Sequence, residues 1–263
     1  MRRYIYFVFL LCCAVNLLLT SCVRQKYVVM DMVHHNPGEA MTESKFLDPS
    51  FLKKNEYGAK VFFLFEAAQF GIEWKSFDPS LFPDTTEAGR WVAEKAEIIH
   101  KKYDAAKKED LQVYCMLDML VLPSLLVEKH RTELTNEQGK LDISKPYTQL
   151  CIRELMKEMF ETFPQLDGLV IRTGETYLHD APYYVGNHPV QNGMYDHITL
   201  INLLREEVCE RRNKKLFYRT WDMGQLHSIP KYYLSGYRQY RATSKSLFLY
   251  QAYHDGFLEI SNY

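Results

Sequence analysis

The alternation of strand-like and helix-like segments is the feature of this chain that most restricts its fold. Short apolar runs without helical periodicity recur along the sequence, and segments with apolar residues three and four positions apart separate several of them. The strand candidates are residues 27–33, 59–65, 111–117, 166–172, 215–221 and 247–252. Strands that are joined through helices pair in parallel, because the chain must cross back over the sheet. The pattern therefore predicts an α/β fold built on a parallel sheet.

Three segments have the spacing of amphipathic helices. Residues 86–108 present Trp91, Ala96, Ile98 and Ile99, and Pro146 is well suited to begin a second helix. The apolar positions of the second helix are Ile152, Leu155, Met156, Met159, Phe160 and Phe163, and those of a third are Ile198, Ile201, Leu204 and Val208. We expect these faces to pack on the sheet.

Two parallel architectures fit this alternation, a doubly wound sheet and a (β/α)₈ barrel of the TIM type. A dinucleotide-binding sheet begins with a Gly-rich turn after its first strand, whereas residues 30–38 read Met-Asp-Met-Val-His-His-Asn-Pro-Gly. Long loops after several strands favour the barrel. Closure typically needs about eight strands, more than the sequence supplies before Tyr263. The prediction is a partial (β/α)₈ barrel over residues 22–263.

The first residues form a secretory signal rather than part of the fold. Arg2 and Arg3 precede an almost unbroken apolar run over residues 4–19. Its end, Leu19-Thr-Ser-Cys22, resembles the lipobox of bacterial lipoproteins, in which the cysteine is lipidated after cleavage. The resemblance implies a signal peptide over residues 1–21 and a protein anchored to the cell envelope through Cys22, at the outer membrane or cell surface. An uncleaved membrane anchor is the alternative.

Composition and residue spacing exclude several classes of function. The formal net charge of −1, without a basic run, predicts no binding to nucleic acid. Cys115, Cys151 and Cys209 match no metal-ligand spacing and are expected to be buried free thiols. His34 and His35 are adjacent on a strand and point to opposite faces, so we predict no metal site there, although one of them could bind a sugar hydroxyl. No cofactor is predicted, and the oligomeric state is left open.

Polar side chains collect where the fourth strand candidate ends. The sequence Asp167-Gly-Leu-Val-Ile-Arg-Thr-Gly-Glu175 passes from an apolar run to Arg172 and Glu175. In a parallel sheet the loops after the strands converge at one edge, here called the carboxyl edge, and chemistry concentrates there. Glu175 is thus a candidate general acid, with an ion pair to Arg172 or helix capping as the alternative. Arg172 could bind a substrate carboxylate or belong to a buried charge pair.

A carbohydrate would suit the aromatic and polar side chains predicted near this edge, because sugar faces stack on rings while hydroxyls bond to polar groups. The residues predicted to contact it are His34, His35, Glu66, Trp74, Arg172, His179, Asp180, Tyr183, Tyr184 and Trp221.

The strand ending in Glu175 resembles the fourth barrel strand of α-glucuronidase-like glycoside hydrolases, which ends in the general acid. Residues 215–221 would then be the fifth strand. Residues 247–257 resemble a sixth strand that carries a carboxylate near its end. The loop after Glu175 is aromatic rather than rich in Gly and Pro, the spacing to Glu175 is one residue shorter, and strands seven and eight have no counterpart. The resemblance covers the C-terminal half and implies hydrolysis of a glycan.

An acid/base mechanism needs a second carboxylate. Asp255 and Asp222 are the candidates, although Asp255-Gly also has the sequence of a simple turn. The expected function is therefore that of a lipid-anchored glycoside hydrolase. The alternatives are a glycan-binding lipoprotein without catalysis and an inactive truncated fragment.

Overall fold

The computed structural model describes residues 30–31, 45–63, 66–173, 176–178, 180–191, 193–220, 247–250 and 256–260. The strands are β1 (Met30–Asp31), β2 (Ala59–Phe62), β3 (Gln112–Asp118), β4 (Val121–Pro123), β5 (Gly168–Arg172), β6 (Tyr184–Gly186), β7 (Lys215–Thr220), β8 (Leu247–Tyr250) and β9 (Gly256–Ile260). The α-helices are α1 (Pro49–Lys54), α2 (Glu87–Lys108), α3 (Ser124–Lys129), α4 (Arg131–Leu134), α5 (Pro146–Thr162) and α6 (Met194–Leu204). A π-helical turn, Arg205–Glu210, continues α6.

The main sheet has the order β1-β2-β3-β5-β7-β9-β8. Its first five strands are parallel and follow one another in the sheet as they do in the chain. The predicted α/β class with a parallel sheet is confirmed. Among the described parallel strands the order shows no reversal of the kind that marks a doubly wound sheet.

The end of the described sheet differs from the predicted parallel strand over residues 247–252. Here β8 and β9 form an antiparallel pair, and β9 also runs antiparallel to β7. Only residues 251–255 separate the two strands, whereas a parallel connection needs about a dozen residues or more. The short spacing therefore imposes an antiparallel arrangement that the apolar pattern alone did not reveal.

The helices form where their sequence signals predicted them. Thr86 caps α2 by accepting a hydrogen bond from the Gly89 N–H at 3.0 Å, and Pro146 occupies the first turn of α5. The buried face of α2 includes Val92, Ile99 and Tyr103, whereas Ile98 is 45 % exposed. The helices cover one face of the sheet, as expected, although Ile98 is not part of the packed stripe. The three cysteines expected to be free and buried, Cys115, Cys151 and Cys209, are so.

The parallel strands β2, β3 and β5 are buried on both faces, which explains their continuous apolar sequence. On β3 and β5, Cys115 and Leu169 pack in the large core with the helices, while Met116 and Val170 belong to a second cluster. That cluster consists of Ala59, Val61, Phe63, Tyr114, Met116, Val170 and Phe217, with Tyr177 packed against it. It contains no residue of a described helix. We call the side of the sheet that carries it the inner face.

Close approach of β5 and β7 depends on the glycine that begins β5. A Cβ atom at Gly168 would lie 2.1 Å from the carbonyl oxygen of Lys215. This contact is too short for any side chain, so the glycine permits the pairing that carries Arg172 to the carboxyl edge.

Candidate functional site

A buried ion pair joins the ends of β3 and β5 at the carboxyl edge. Asp118 and Arg172 are the last residues of these strands and are register partners. The Arg172 guanidinium donates from Nε to Asp118 Oδ1 at 2.5 Å and from Nη2 to Oδ2 at 2.6 Å. The Arg172 side chain is 2 % exposed and the Asp118 side chain is 4 % exposed. The structure thus shows the buried charge pair that is one of the two alternatives predicted for Arg172.

Two aromatic rings frame the Arg172 guanidinium. Its central carbon lies 4.6 Å from the ring centroid of Phe63, which follows β2, and 4.5 Å from that of Tyr177. Both distances are within the range of cation–π attraction, about 6 Å or less. Phe63 and Tyr177 belong to or pack against the inner-face cluster. The guanidinium plane is therefore fixed on the inner face by charge, hydrogen bonds and ring contacts together.

The loop after β5 is tied to β3 through the same carboxylate. The backbone N–H of Tyr177 donates to Asp118 Oδ2 at 2.9 Å. Farther along the loop, β6 pairs antiparallel with β4, and Leu120 and Asn187 exchange backbone hydrogen bonds of 2.8 and 3.0 Å. The exits of β3 and β5 thus form one connected unit at the carboxyl edge.

Glu66 makes contacts on the other side of the sheet. Its carboxylate forms an ion pair with Lys102 of α2, and Tyr103 donates its hydroxyl hydrogen to the Glu66 carbonyl oxygen at 2.9 Å. A small cavity of about 100 Å³ beside it is lined by Lys60 and Phe62. Phe62 packs in the helix-covered core, so this cavity lies on the helix-covered side. Glu66 was predicted to contact the same carbohydrate as Arg172. In the structure its side chain instead makes its contacts on the helix-covered side of the sheet.

Two of the predicted stacking residues are core residues. Trp74 is fully buried and packs edge-on against Phe77 with ring centroids 6.0 Å apart. Tyr184 is 5 % exposed, and burial raises the pKa of its hydroxyl well above its usual value. These rings lie inside the packing between loops and helices and offer no open face to a sugar, which corrects the expectation for both.

The neighbouring loop residues keep some access to solvent. Tyr183 is half-buried and packs edge-on against Trp91 of α2 at 5.8 Å between ring centroids. Asp180 is exposed. Tyr183 and Asp180 are thus the predicted glycan contacts that the described part of this loop leaves at the surface.

The remaining predicted residues lie outside the described residues. They are Cys22, His34, His35, Glu175, His179, Trp221, Asp222 and Asp255. Two of this group lie in short gaps between described residues in the chain: Glu175 between residues 173 and 176, and His179 between residues 178 and 180.

Sequence reasoning missed three members of the site, Phe63, Asp118 and Tyr177. A signal for Asp118 existed, since it directly follows an apolar strand candidate just as Arg172 ends one. Opposite charges at equivalent strand ends predict a pair if the two strands are neighbours. The roles of the rings depend on how the loops fold back, for which the sequence gives no comparable signal.

A buried histidine beside β7 has a pKa far below its usual value. His197 of α6 lies with its Nδ1 2.9 Å from the Tyr218 hydroxyl of β7, and it is 1 % exposed. Burial, with a smaller contribution from His188, lowers the pKa of His197 from 6.5 to about 3. At neutral pH the ring is therefore uncharged in the folded protein.

This histidine should make the fold sensitive to mild acid. Below pH 6.5 the unfolded chain binds a proton that folded His197 does not, so stability present at neutral pH is lost as the pH falls toward 3. Between pH 7.5 and 5.5 we expect His197 to lower the free energy of unfolding by roughly 1 kcal/mol. Urea unfolding of wild type and His197→Asn at both pH values measures this difference. An equal pH dependence in the two proteins would contradict it.

Comparisons with known proteins add no assignment. No model of a known protein family matches the chain, and none of the curated proteins matches it either. Within the described ranges, His, Cys, Asp and Glu side chains form no group of three that could hold a metal ion. The helices of the described part include none that is long and apolar enough to cross a membrane.

Proposed function

We propose that this chain is a glycoside hydrolase-like protein of the (β/α)₈ type, with Glu175 as general acid at the carboxyl edge of the sheet. The observation that carries the proposal is the Asp118–Arg172 pair, buried on the inner face at the ends of adjacent parallel strands. Arg172 stands three residues before Glu175, so the strand that bears this rigid pair leads directly into the candidate acid. Catalytic groups are effective when rigid elements and neighbouring hydrogen bonds hold them.

The topology supports the same proposal. In a TIM barrel, strands follow the chain order, helices cover the outside, and the inner face is filled with side chains. The order β1-β2-β3-β5-β7, the helices on one side and the apolar inner-face cluster agree with such an arrangement. The antiparallel β9 beside β7 is a departure from it.

In the proposed reaction, protonated Glu175 gives its proton to the oxygen of the glycosidic bond as the bond to the anomeric carbon breaks. A second carboxylate, Asp255 or Asp222, removes a proton from the water that attacks that carbon. An inverting arrangement requires about 6.5–9.5 Å between the two carboxyl groups. No cofactor takes part. The proposed location is the cell envelope, with attachment through a lipid on Cys22.

The test is a hydrolysis assay beside a binding measurement on the full chain. Uronic-acid-containing and neutral oligosaccharides would be incubated with the protein, and released sugars would be separated by chromatography. Isothermal titration of the same oligosaccharides reports binding. Release of sugar supports the hydrolase. Binding without release would replace it with a glycan-binding protein, and neither binding nor release would overturn both readings.

A further inference from the structure

Within the described part of the chain, Asp118 accepts three hydrogen bonds from the end of β5 and the loop that follows it. Its Oδ1 accepts from Arg172 Nε at 2.5 Å, and its Oδ2 accepts from Arg172 Nη2 at 2.6 Å and from the Tyr177 backbone N–H at 2.9 Å. The side chain is 4 % exposed and ends a strand that is paired on both sides. A carboxylate in this position is a rigid acceptor, because both its backbone and its oxygens are fixed.

The donors to Asp118 stand on both sides of Glu175 in the chain. Arg172 precedes Glu175 by three residues, and Tyr177 follows it by two. We infer that Asp118 is a positioning residue, which fixes Arg172 and Tyr177, the residues that stand before and after the proposed general acid Glu175 in the sequence. This inference rests on the proposed function for its catalytic consequence, but its structural part concerns described contacts alone.

The chemistry of these contacts requires an aspartate. Both carboxylate oxygens accept hydrogen bonds, and one oxygen accepts two of them. Asparagine offers one acceptor oxygen and an NH₂ group that cannot accept from a guanidinium. Glutamate keeps the charge but extends the side chain by one methylene, so it cannot reproduce all three contacts from the same strand end. Displacement of a catalytic group by about 1 Å can lower the rate about 10²-fold.

The experiment compares Asp118→Asn and Asp118→Glu with Asp167→Asn in the full chain. Asp167 is a matched control at the opposite end of the same strand pair. Its Oδ2 accepts from the Val113 N–H of β3 at 2.7 Å and pairs with Lys107 of α2, at the end of the strands opposite to the loop after β5. Asp118→Glu keeps the negative charge beside Arg172 and so remains informative if Asp118→Asn does not fold.

Hydrogen exchange measured by mass spectrometry tests the structural part. We expect peptides covering residues 173–178 to exchange at least about tenfold faster in the Asp118 variants, since loss of the partly buried Tyr177 N–H hydrogen bond opens the segment locally. The same peptides should exchange at the wild-type rate in Asp167→Asn. Exchange that is unchanged in the Asp118 variants, or equally raised by Asp167→Asn, would overturn the inference.

Kinetics test the catalytic part. We expect Asp118→Asn and Asp118→Glu to lower kcat about 10²-fold with little change in KM, because the displaced group acts in the transition state. The double variant Asp118→Asn/Glu175→Gln should be no slower than Glu175→Gln alone. Faster exchange with unchanged kcat would overturn the positioning role. If wild type hydrolyses no glycan, the proposed function fails, and the exchange data alone then decide whether Asp118 fixes this segment.

Discussion

Replacing Glu175 with Gln should lower kcat for an unactivated glycan about 10³-fold while leaving glycan binding nearly unchanged. General acid catalysis contributes about 10²–10⁴-fold, and glutamine keeps the shape of the side chain but has no proton of suitable acidity to donate. A sugar alkoxide is a poor leaving group unless its oxygen is protonated as the glycosidic bond breaks. The loss should therefore appear in kcat rather than in KM.

A second measurement compares substrates whose leaving groups differ in how much they need protonation. A nitrophenyl glycoside releases a phenolate that needs little protonation, so Glu175→Gln should impair its cleavage far less than that of the oligosaccharide. The matched control is Glu137→Gln, an exposed carboxylate between α4 and α5 that has no place in the proposed site. It should hydrolyse both substrates at the wild-type rate. Equal activity of Glu175→Gln and wild type on the oligosaccharide would remove Glu175 from the mechanism.

Much of the fold could be predicted from local sequence pattern. The amphipathic segment that forms α2 and the Pro146 signal for α5 gave those helices, and uninterrupted apolar runs gave the parallel strands. These sequence patterns are local, because a few turns define the apolar face of a helix and a few residues define an apolar strand. The antiparallel β8–β9 pair was missed because an apolar run does not state the direction of its neighbour.

The candidate site was predicted less completely, because its contacts join distant parts of the chain. Arg172 was identified from the end of its own strand, but its partner Asp118 is 54 residues away. Trp74 was predicted to contact a carbohydrate, whereas the structure buries its ring completely. Residue type and spacing indicate which groups can do chemistry, but tertiary packing decides which of them remain accessible.

Breaking the buried charge pair should have the largest effect on stability. We expect Arg172→Met to lower the free energy of unfolding by about 3–5 kcal/mol, because it leaves the Asp118 charge buried without its cation. Methionine is unbranched and can occupy the space between Phe63 and Tyr177, so lost packing should be the smaller part. Urea unfolding at neutral pH, monitored by circular dichroism, measures the change.

A second substitution distinguishes the cost of the unpaired Asp118 charge from the cost of lost packing, because it removes that charge. In Arg172→Met/Asp118→Asn neither member of the pair carries a charge, and the amide oxygen of the introduced asparagine can still accept from the Tyr177 N–H. We therefore expect at least half of the lost stability to return. Arg153→Met is the matched control, since its partners Glu206 and Glu207 keep Arg211 and Arg212 and no charge is stranded. Its effect should be far smaller. A double variant no more stable than Arg172→Met would show that ring packing around the guanidinium, rather than charge pairing, stabilises the carboxyl edge.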